Sequence, residues 1–286
     1  MLVDTKPTTF DELIRISGLS HGTDVWLGNA QSLIEQGTVT LTEAICCRDD
    51  IMIYLIKQGL PPNPAFKIME TVRKGKALKD PAKWAEYVAL MKEHNVPDWY
   101  IKSCEKIKYM FPKAHAAAYV TNAFRIAWFK VHEPKAYYTA FFSIRAADDF
   151  DSEIMIFGKE KVKNKMKEID LLGNNATPKD KTMYPVLELV LEMYERGIKF
   201  LPIDLYKSSA TKFIVEEEGI RPPLNSIAGL GTVAALGIEN ARKDGKFMSI
   251  DDMKIRSKVG DSVAELLKKF GCLDGMSQSN QLSLFG

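Results

Sequence analysis

YMFPKAHAAAYV, residues 109–120, begins the longest helix that the sequence predicts. Proline is well tolerated in the first turn of a helix, so we expect this helix to begin at Pro112. The helical pattern continues to His132, and Pro134 follows closely. Similar patterns without strand-like alternation cover residues 8–145. The first half of the chain is therefore predicted to be helical almost throughout.

The start of this long helix combines a cation, a histidine and small residues. Lys113 lies at the helix start and His115 follows within a turn, which would place positive charge beside free backbone N–H groups. That combination suits phosphate. An ordinary amphipathic helix with an alanine-rich packing seam explains the same pattern, and the pattern alone favours it. Helical spacing places Phe111, His115, Ala118, Asn122 and Arg125 on one side, and Val120, Phe124, Ala127, Trp128 and Val131 on an apolar opposite side.

The second half of the chain changes character after Phe150. Polar and proline-containing stretches separate its helical segments, and two short extended pieces can pair as a small sheet. The predicted elements are helices over 154–172 and 184–196, extended pieces over 198–205 and 212–215, further helices over 230–271, and a flexible polar tail from 274.

Composition excludes several classes of protein. The 286 residues are 46% hydrophobic and 27% charged, with a net charge of +2, which is typical of a folded globular protein. The four cysteines form no C-x-x-C pair, so we expect reduced thiols, no zinc site and no disulfide framework. No secretory leader and no bilayer-spanning apolar run is present, so we expect a cytoplasmic protein without membrane contact.

Two further segments have binding potential. In Ile227–Ala235, a hydrophobic-x-Gly-hydrophobic-Gly turn leads into a helix, as in a helix-hairpin-helix motif. Its glycines permit a tight turn and close approach of a DNA strand, and the helix start offers N–H groups to phosphate. Residues 249–271 fit a degenerate second copy whose turn, 257–260, lacks the paired glycines, which makes DNA contact there doubtful. The expected DNA-binding residues are Gly229, Leu230, Gly231 and Thr232.

The C-terminal segment QLSLF, residues 281–285, sets apolar side chains at the end of a polar tail. It resembles the peptide that bacterial proteins insert into the sliding clamp. We expect Leu284 and Phe285 to supply buried anchors and Gln281 an orienting hydrogen bond, with Leu282 between them.

Several long motifs, in order along the whole chain, resemble the PolC branch of the bacterial C-family replicative DNA polymerases. These motifs are ISGLSHGTDVWLGNAQ at 16–31, RDDIMIYLIKQGL at 48–60, KIMETVRKGKAL at 67–78, YMFPKAHAAAYV at 109–120 and FGCLDGMSQSNQLSLF at 270–285. The resemblance implies a mainly α fold: a helical fingers domain followed by a smaller α+β domain with tandem helix-hairpin-helix motifs and a flexible tail. The implied divisions are fingers over 1–150, a helical connector over 151–205, the small sheet and hairpin motifs over 206–273, and the tail with the clamp peptide over 274–286.

The resemblance also implies roles for individual residues. The helix over Lys113–Val120 would lie across an incoming deoxynucleoside triphosphate, with a loop and a basic run lining the same pocket. The basic run, 73–76, fits ordinary helix capping equally well. The expected nucleotide-binding residues are Ser20, His21, Gly22, Arg73, Lys76, Phe111, Lys113, His115 and Tyr119.

The sequence shows no catalytic carboxylates that we would assign to nucleotidyl transfer. The acidic run Asp148–Asp151 suits the start of a helix, and the aspartates of the family belong to a palm domain upstream of the fingers. We therefore expect no metal ligand and no catalytic residue in this chain, with Mg²⁺ bound by the palm of a complete polymerase. The expected partners are a DNA primer-template, deoxynucleoside triphosphates, the sliding clamp and the remaining polymerase domains. The alternative is a non-catalytic adaptor that binds DNA and the clamp.

Overall fold

A computed structural model describes residues 1–279, which form two compact units divided between Arg125 and Ile126. The first unit is helical, as the sequence predicts. Its helices are α1 Leu2–Thr5, α2 Phe10–His21, α3 Gln31–Glu35, α4 Arg48–Lys57, α5 Pro62–Arg73, α6 Pro81–Glu93, α7 Asp98–Lys106 and the first part of α8, Lys113–His132.

Local sequence signals explain several helix starts in the first unit. Thr9 and Glu12 form a reciprocal capping box at the start of α2. Asp80 accepts the N–H of Lys83 at the start of α6, whose first residue is proline. The segment 24–37, which lies in the range that we expect to be helical, is irregular, since Gly28, with φ of 65°, interrupts it before α3 begins.

The core of the first unit lies among α4, α5, α6 and α7. Ile51 and Leu55 of α4 and Ile68 of α5 are fully buried, and Tyr54 stacks on the buried ring of Tyr100 at 4.2 Å. Three cysteines are also buried here, and burial raises the pKa of the Cys47 thiol to about 12. These thiols therefore stay protonated at neutral pH and behave as small apolar side chains.

Helix α8 differs from its expected packing. Only Ala116 is buried within it, against Ile14 and Cys47. The predicted apolar side, by contrast, remains largely exposed: Phe124, Trp128 and Val131 are 53%, 48% and 63% accessible. Helical periodicity therefore predicts which side chains share a face of α8. It does not predict whether another element packs against that face.

The second unit contains helices, a two-stranded sheet and the predicted hairpin motifs. A break at Gly158, with φ of 102°, divides the helix predicted over 154–172. The sheet is confirmed, although its second strand is 219–221, and Phe200 contributes only an isolated bridge to Ile220. The elements after α8 are α9 Pro134–Ile144, α10 Ser152–Met155, α11 Lys159–Leu172, α12 Pro178–Glu195, β1 Ile214–Glu216, β2 Gly219–Arg221, α13 Thr232–Ala241, α14 Ile250–Ser257 and α15 Asp261–Lys269.

A close backbone approach in the tandem hairpin region joins α13 to the end of α14. A methyl group added at Gly237 would lie 2.5 Å from the carbonyl oxygen of Ser257, so the two helices pack backbone to backbone at this point. Buried Ile238 and Met253 belong to the core beside this contact. Glycine is thus required for the packing of the two hairpin motifs.

The two compact units separate within α8, whereas the predicted domain boundary near residue 150 follows the change in sequence character. The predicted boundary marked the change in composition, whereas the observed one marks where internal packing changes. Among residues 1–279, no helix has both the length and the apolarity needed to cross a bilayer.

Candidate functional site

Four aromatic rings form a continuous row at the start of α8. His21 stacks on Phe111 with ring centroids 4.8 Å apart, Phe111 meets His115 edge to face at 5.3 Å, and His115 contacts Tyr119 at 4.7 Å. Tyr119 is 60% accessible, and both histidines are exposed. We call His21, Phe111, His115 and Tyr119 the aromatic row; it brings together four residues predicted to bind nucleotide.

A short backbone pairing places the end of α2 beside this row. The N–H of Thr23 donates to the carbonyl of Tyr109 at 2.9 Å, and the N–H of Lys108 donates to the carbonyl of Thr23 at 3.1 Å. A methyl group on Gly22 would lie 3.1 Å from the same Tyr109 oxygen. Ser20 joins the site as well, since its Oγ lies 3.1 Å from Nδ1 of His21. Ser20 and His21, which we expected on a loop, are the last residues of α2, and together with Gly22 they lie beside the start of α8.

Lys113 lies among carboxylates, which the sequence did not anticipate. Its Nζ is 3.3 Å from Oδ1 of Asp11 and 3.9 Å from Oδ1 of Asp50, while its backbone N–H donates to Asp49 at 2.8 Å. The expectation of a free N–H group at this position was wrong, because Asp49 caps it. The hydrogen bond from Arg15 holds the pKa of Asp11 below its usual value, and Lys113 adds to that effect.

These carboxylates come from the first turns of α2 and α4, so three helix starts meet around Lys113. One partial signal was present in the sequence: acidic residues in the first turns of α2 and α4. Their convergence depends on packing between segments 64 residues apart and has no local signature.

The basic run is divided between structural and exposed positions. Arg73 pairs with Glu70, and Lys74 Nζ lies 2.9 Å from the same carboxylate, whose pKa the Arg73 hydrogen bond lowers to about 2. Gly75 has φ of 61°, and a methyl group there would lie 2.5 Å from the Lys108 carbonyl oxygen. Capping and packing thus account for most of this run. Lys76 is exposed, and no ion pair is recorded for it among residues 1–279.

The aromatic row offers flat ring surfaces together with imidazole N–H groups. Flat rings can stack on a base, and histidine can donate a hydrogen bond to a phosphate or sugar oxygen. The side chains of Arg73 and Lys113, as they stand, are already paired with carboxylates. Any phosphate bound by these two cations has to compete with the carboxylates.

The predicted DNA hairpin of the second unit has the geometry that its sequence suggests. Gly229 has φ of 90°, a conformation that favours glycine, and Gly231 is the extended residue before α13. Nothing lies within 4 Å of a methyl group built on Gly231, so the backbone at the start of α13 is open. Thr232 is exposed at the first helical position, and Leu230 is buried beneath the turn.

The acidic run lies beside this hairpin and serves local structure. Asp149 accepts a hydrogen bond from Thr182 at 2.6 Å, and Asp151 caps α10 by accepting the N–H of Glu153 at 2.9 Å. A cavity of about 430 Å³ separates the run from the hairpin. In the part of the chain that the structure describes, no group of histidine, cysteine or acidic residues is arranged to hold a metal ion. Asp149 and Asp151 are thus both engaged in hydrogen bonds within the second unit.

The second hairpin forms without paired glycines. Lys258 takes the left-handed conformation, with φ of 56°, and Gly260 precedes α15 in an extended conformation. The proposed clamp residues Gln281, Leu282, Leu284 and Phe285 lie outside the described residues.

Matches to known proteins extend over the whole sequence. A family model described as "Bacterial DNA polymerase III alpha subunit finger domain" matches residues 1–95, and one described as "Helix-hairpin-helix motif" matches residues 197–282. Proteins named "DNA polymerase III PolC-type" match all of this chain: 58% identity in Caldanaerobacter subterraneus subsp. tengcongensis, 57% in Clostridium perfringens and 58% in Bacillus subtilis. The chain belongs to the PolC-type DNA polymerase III family. It corresponds to the C-terminal part of these polymerases and spans only 19–20% of the length of these relatives.

The PolC relationship confirms the fold and the order of its parts. The finger match covers the loop at 20–22 and the basic run at 73–76, and the hairpin match covers both turns of the second unit. The aromatic row continues beyond the finger match to Tyr119, within the region of whole-chain similarity to PolC.

Proposed function

We propose that this chain provides substrate-binding parts of a PolC-type replicative DNA polymerase. The aromatic row receives the incoming deoxynucleoside triphosphate, the first hairpin holds the DNA backbone, and the tail attaches to the sliding clamp. The reaction is attack of the primer 3′-hydroxyl on the α-phosphate, which releases pyrophosphate. Mg²⁺ and its carboxylate ligands belong to a palm domain supplied by the rest of the polymerase.

The contact between His21, Phe111, His115 and Tyr119 is the observation that carries the nucleotide proposal. Residues from two segments almost a hundred positions apart in the sequence form one exposed ring surface. Its role is to orient the base and sugar, because stacking and histidine N–H groups impose geometry. Lys76 is an exposed cation on the basic run, whereas Lys113 and Arg73 would bind phosphate only in competition with their carboxylate partners.

The nucleotide site can be tested by primer extension with the full chain and a separate palm-containing fragment of a PolC relative. We expect extension only when both are present, and His115→Ala should raise the apparent KM for nucleotide about tenfold through loss of one ring contact and hydrogen bond. His132→Ala, an exposed histidine at the other end of α8, is the matched control.

Extension by the chain alone would contradict the assignment of the carboxylates to the palm. An unchanged KM for His115→Ala in an active mixture would remove the aromatic row from the nucleotide site. Binding of DNA and clamp without any extension in the mixture would support the adaptor alternative.

The clamp proposal has its own test. Changing Leu284 and Phe285 to alanine should abolish retention on immobilised sliding clamp, because these residues supply the apolar anchors. Alanine substitution of Ser279 and Ser283, which leaves the anchors in place, is the control. Full retention of the Leu284→Ala/Phe285→Ala variant would remove this assignment.

A further inference from the structure

An exposed phenylalanine, Phe157, and a half-buried one, Phe270, are flanked by lysines in the second unit. Phe157 and Phe270 have ring centroids 5.9 Å apart, and Phe157 is 59% accessible. Lys161 Nζ lies 5.0 Å from the centre of the Phe157 ring, and Lys269 Nζ lies 2.7 Å from Glu153. These five residues line a cavity of about 220 Å³. We call Phe157, Phe270, Lys161 and Lys269 the phenylalanine–lysine surface.

This surface is linked to the first hairpin by packing within the second unit. A methyl group on Gly229 would lie 3.3 Å from Cδ1 of Leu266, and Phe270, the residue that follows α15, lies one turn, about 6 Å, beyond Leu266. On the other side, Ser152 donates a buried hydrogen bond to Ser226 at 2.7 Å, just before the hairpin turn. The hairpin thus contacts α10 through Ser152 and α15 through Leu266, and the two phenylalanines follow the C-terminal ends of these helices.

The composition of the surface favours a strand of nucleic acid. Exposed flat rings with adjacent cations are what non-sequence-specific single-strand binders use, since each base offers a flat face and each nucleotide a phosphate. Lys161 is exposed, and no ion pair is recorded for it within residues 1–279, so its charge is available to phosphate. A cavity of about 220 Å³ is smaller than the ~300–1,000 Å³ that drug-sized ligands occupy, which suits a single base.

We propose that the phenylalanine–lysine surface binds an unpaired base of a DNA strand whose backbone is held at the first hairpin. The inference rests on the proposed DNA-binding function of that hairpin. Bases within a duplex are stacked on one another and present no free face, so only a single-stranded extension can use the rings. With the hairpin bound to the DNA backbone and the rings bound to an unpaired base, the second unit would recognise the junction between duplex and single-stranded DNA.

The test compares binding of a blunt duplex with binding of the same duplex carrying a single-stranded overhang, for both overhang polarities, using the full chain. Wild type should bind the duplex with one of the two overhang polarities about tenfold more tightly than it binds the blunt duplex, as expected from stacking of one base. Phe157→Ala should remove this difference and leave blunt-duplex affinity unchanged. Phe157→Trp, which keeps a flat ring, should preserve the preference, and 2-aminopurine placed in the overhang should be quenched only when an aromatic ring is present.

Phe129→Ala is the matched control, since Phe129 is 50% accessible on α8 and has no place in the surface. Equal binding of blunt and overhang DNA by wild type would overturn this inference and leave the hairpin proposal standing. Overhang binding without any blunt-duplex binding would overturn the hairpin proposal and, with it, this inference, which rests on it. If wild type binds neither the blunt nor the overhang duplex, the hairpin proposal and this inference are both overturned. If Phe157→Ala changes the oligomeric state without changing DNA binding, the surface is a contact between copies of the chain, and this inference is overturned.

Discussion

The two hairpins of the second unit have similar backbones built from different residues. Gly229 and Lys258 both adopt positive φ, at 90° and 56°, and Gly231 and Gly260 are both extended residues before a helix. Lysine in this conformation carries a modest backbone cost that glycine avoids. Paired glycines are therefore not required to form this turn.

What separates the hairpins is the charge at the start of the following helix. Thr232 is neutral, whereas Asp261 is an exposed carboxylate that binds Lys254 at 2.8 Å. The hydrogen bond from Lys254 lowers the pKa of Asp261, so the carboxylate remains charged at neutral pH. A carboxylate at the helix start occupies the electrostatic position that a phosphate would take. The first hairpin is therefore open to a DNA backbone and the second is already satisfied internally.

The largest effect is expected where the two hairpin motifs pack together. Gly237→Ala should lower the free energy of unfolding by about 2–3 kcal/mol, because its methyl group overlaps the Ser257 carbonyl and forces α13 from α14. Urea unfolding of the full chain measures this change. Gly260→Ala is the control, since nothing lies within 4 Å of its added methyl group. Equal stability of the two variants would show that the close approach is unimportant.

Placing a carboxylate on the first hairpin, at the position where the second hairpin has Asp261, should have the next largest effect, a loss of DNA affinity. Thr232→Asp is expected to reduce affinity for blunt duplex DNA about tenfold, because it sets a carboxylate against the phosphate. Fluorescence anisotropy at fixed salt measures the affinity, and Thr232→Ser keeps a neutral hydroxyl as the control. Undiminished binding by the aspartate variant would place the backbone contact elsewhere.

Adding a methyl group at each hairpin sharpens the comparison further. Gly231→Ala should lower duplex affinity about fivefold, because the methyl group stands between a phosphate and the N–H groups of α13. Gly260→Ala should leave affinity unchanged. The same anisotropy measurement on both variants compares the two sites directly, and equal losses would mean that both hairpins contact DNA.

The smallest effect is expected when the second hairpin loses its carboxylate. Asp261→Thr should raise duplex affinity about two- to threefold and steepen the salt dependence, because Lys254 is then released toward phosphate. Asp251 also binds Lys254, at 3.0 Å, and limits the gain. A salt titration of binding measures the slope; an unchanged slope would show that Lys254 remains held.

Local signals in the sequence predicted local structure well. Pro112 and His132 marked the limits of α8, which begins at Lys113 and ends at His132, and the glycine pattern at 229–231 marked a real hairpin. The aromatic row was reached through family resemblance, since contacts between His21 and Phe111 depend on packing of distant segments. Neither the capping of Lys113 by Asp49 nor the phenylalanine–lysine surface has a local signature, because each joins residues far apart in the chain.

The close approach at Gly237 has a consequence for reading mutational scans of this region. Substitution there is expected to eliminate function as completely as substitution in a binding turn, although Gly237 faces the Ser257 backbone and contacts no ligand in our proposals. Sensitivity in a growth-based screen would then report assembly of the tandem motif. Only a pair of readouts, abundance of the folded protein and occupancy of DNA, would separate Gly237 from Gly231. A glycine that is needed for close packing of two helices can thus be as sensitive to substitution in such a screen as a residue that contacts DNA.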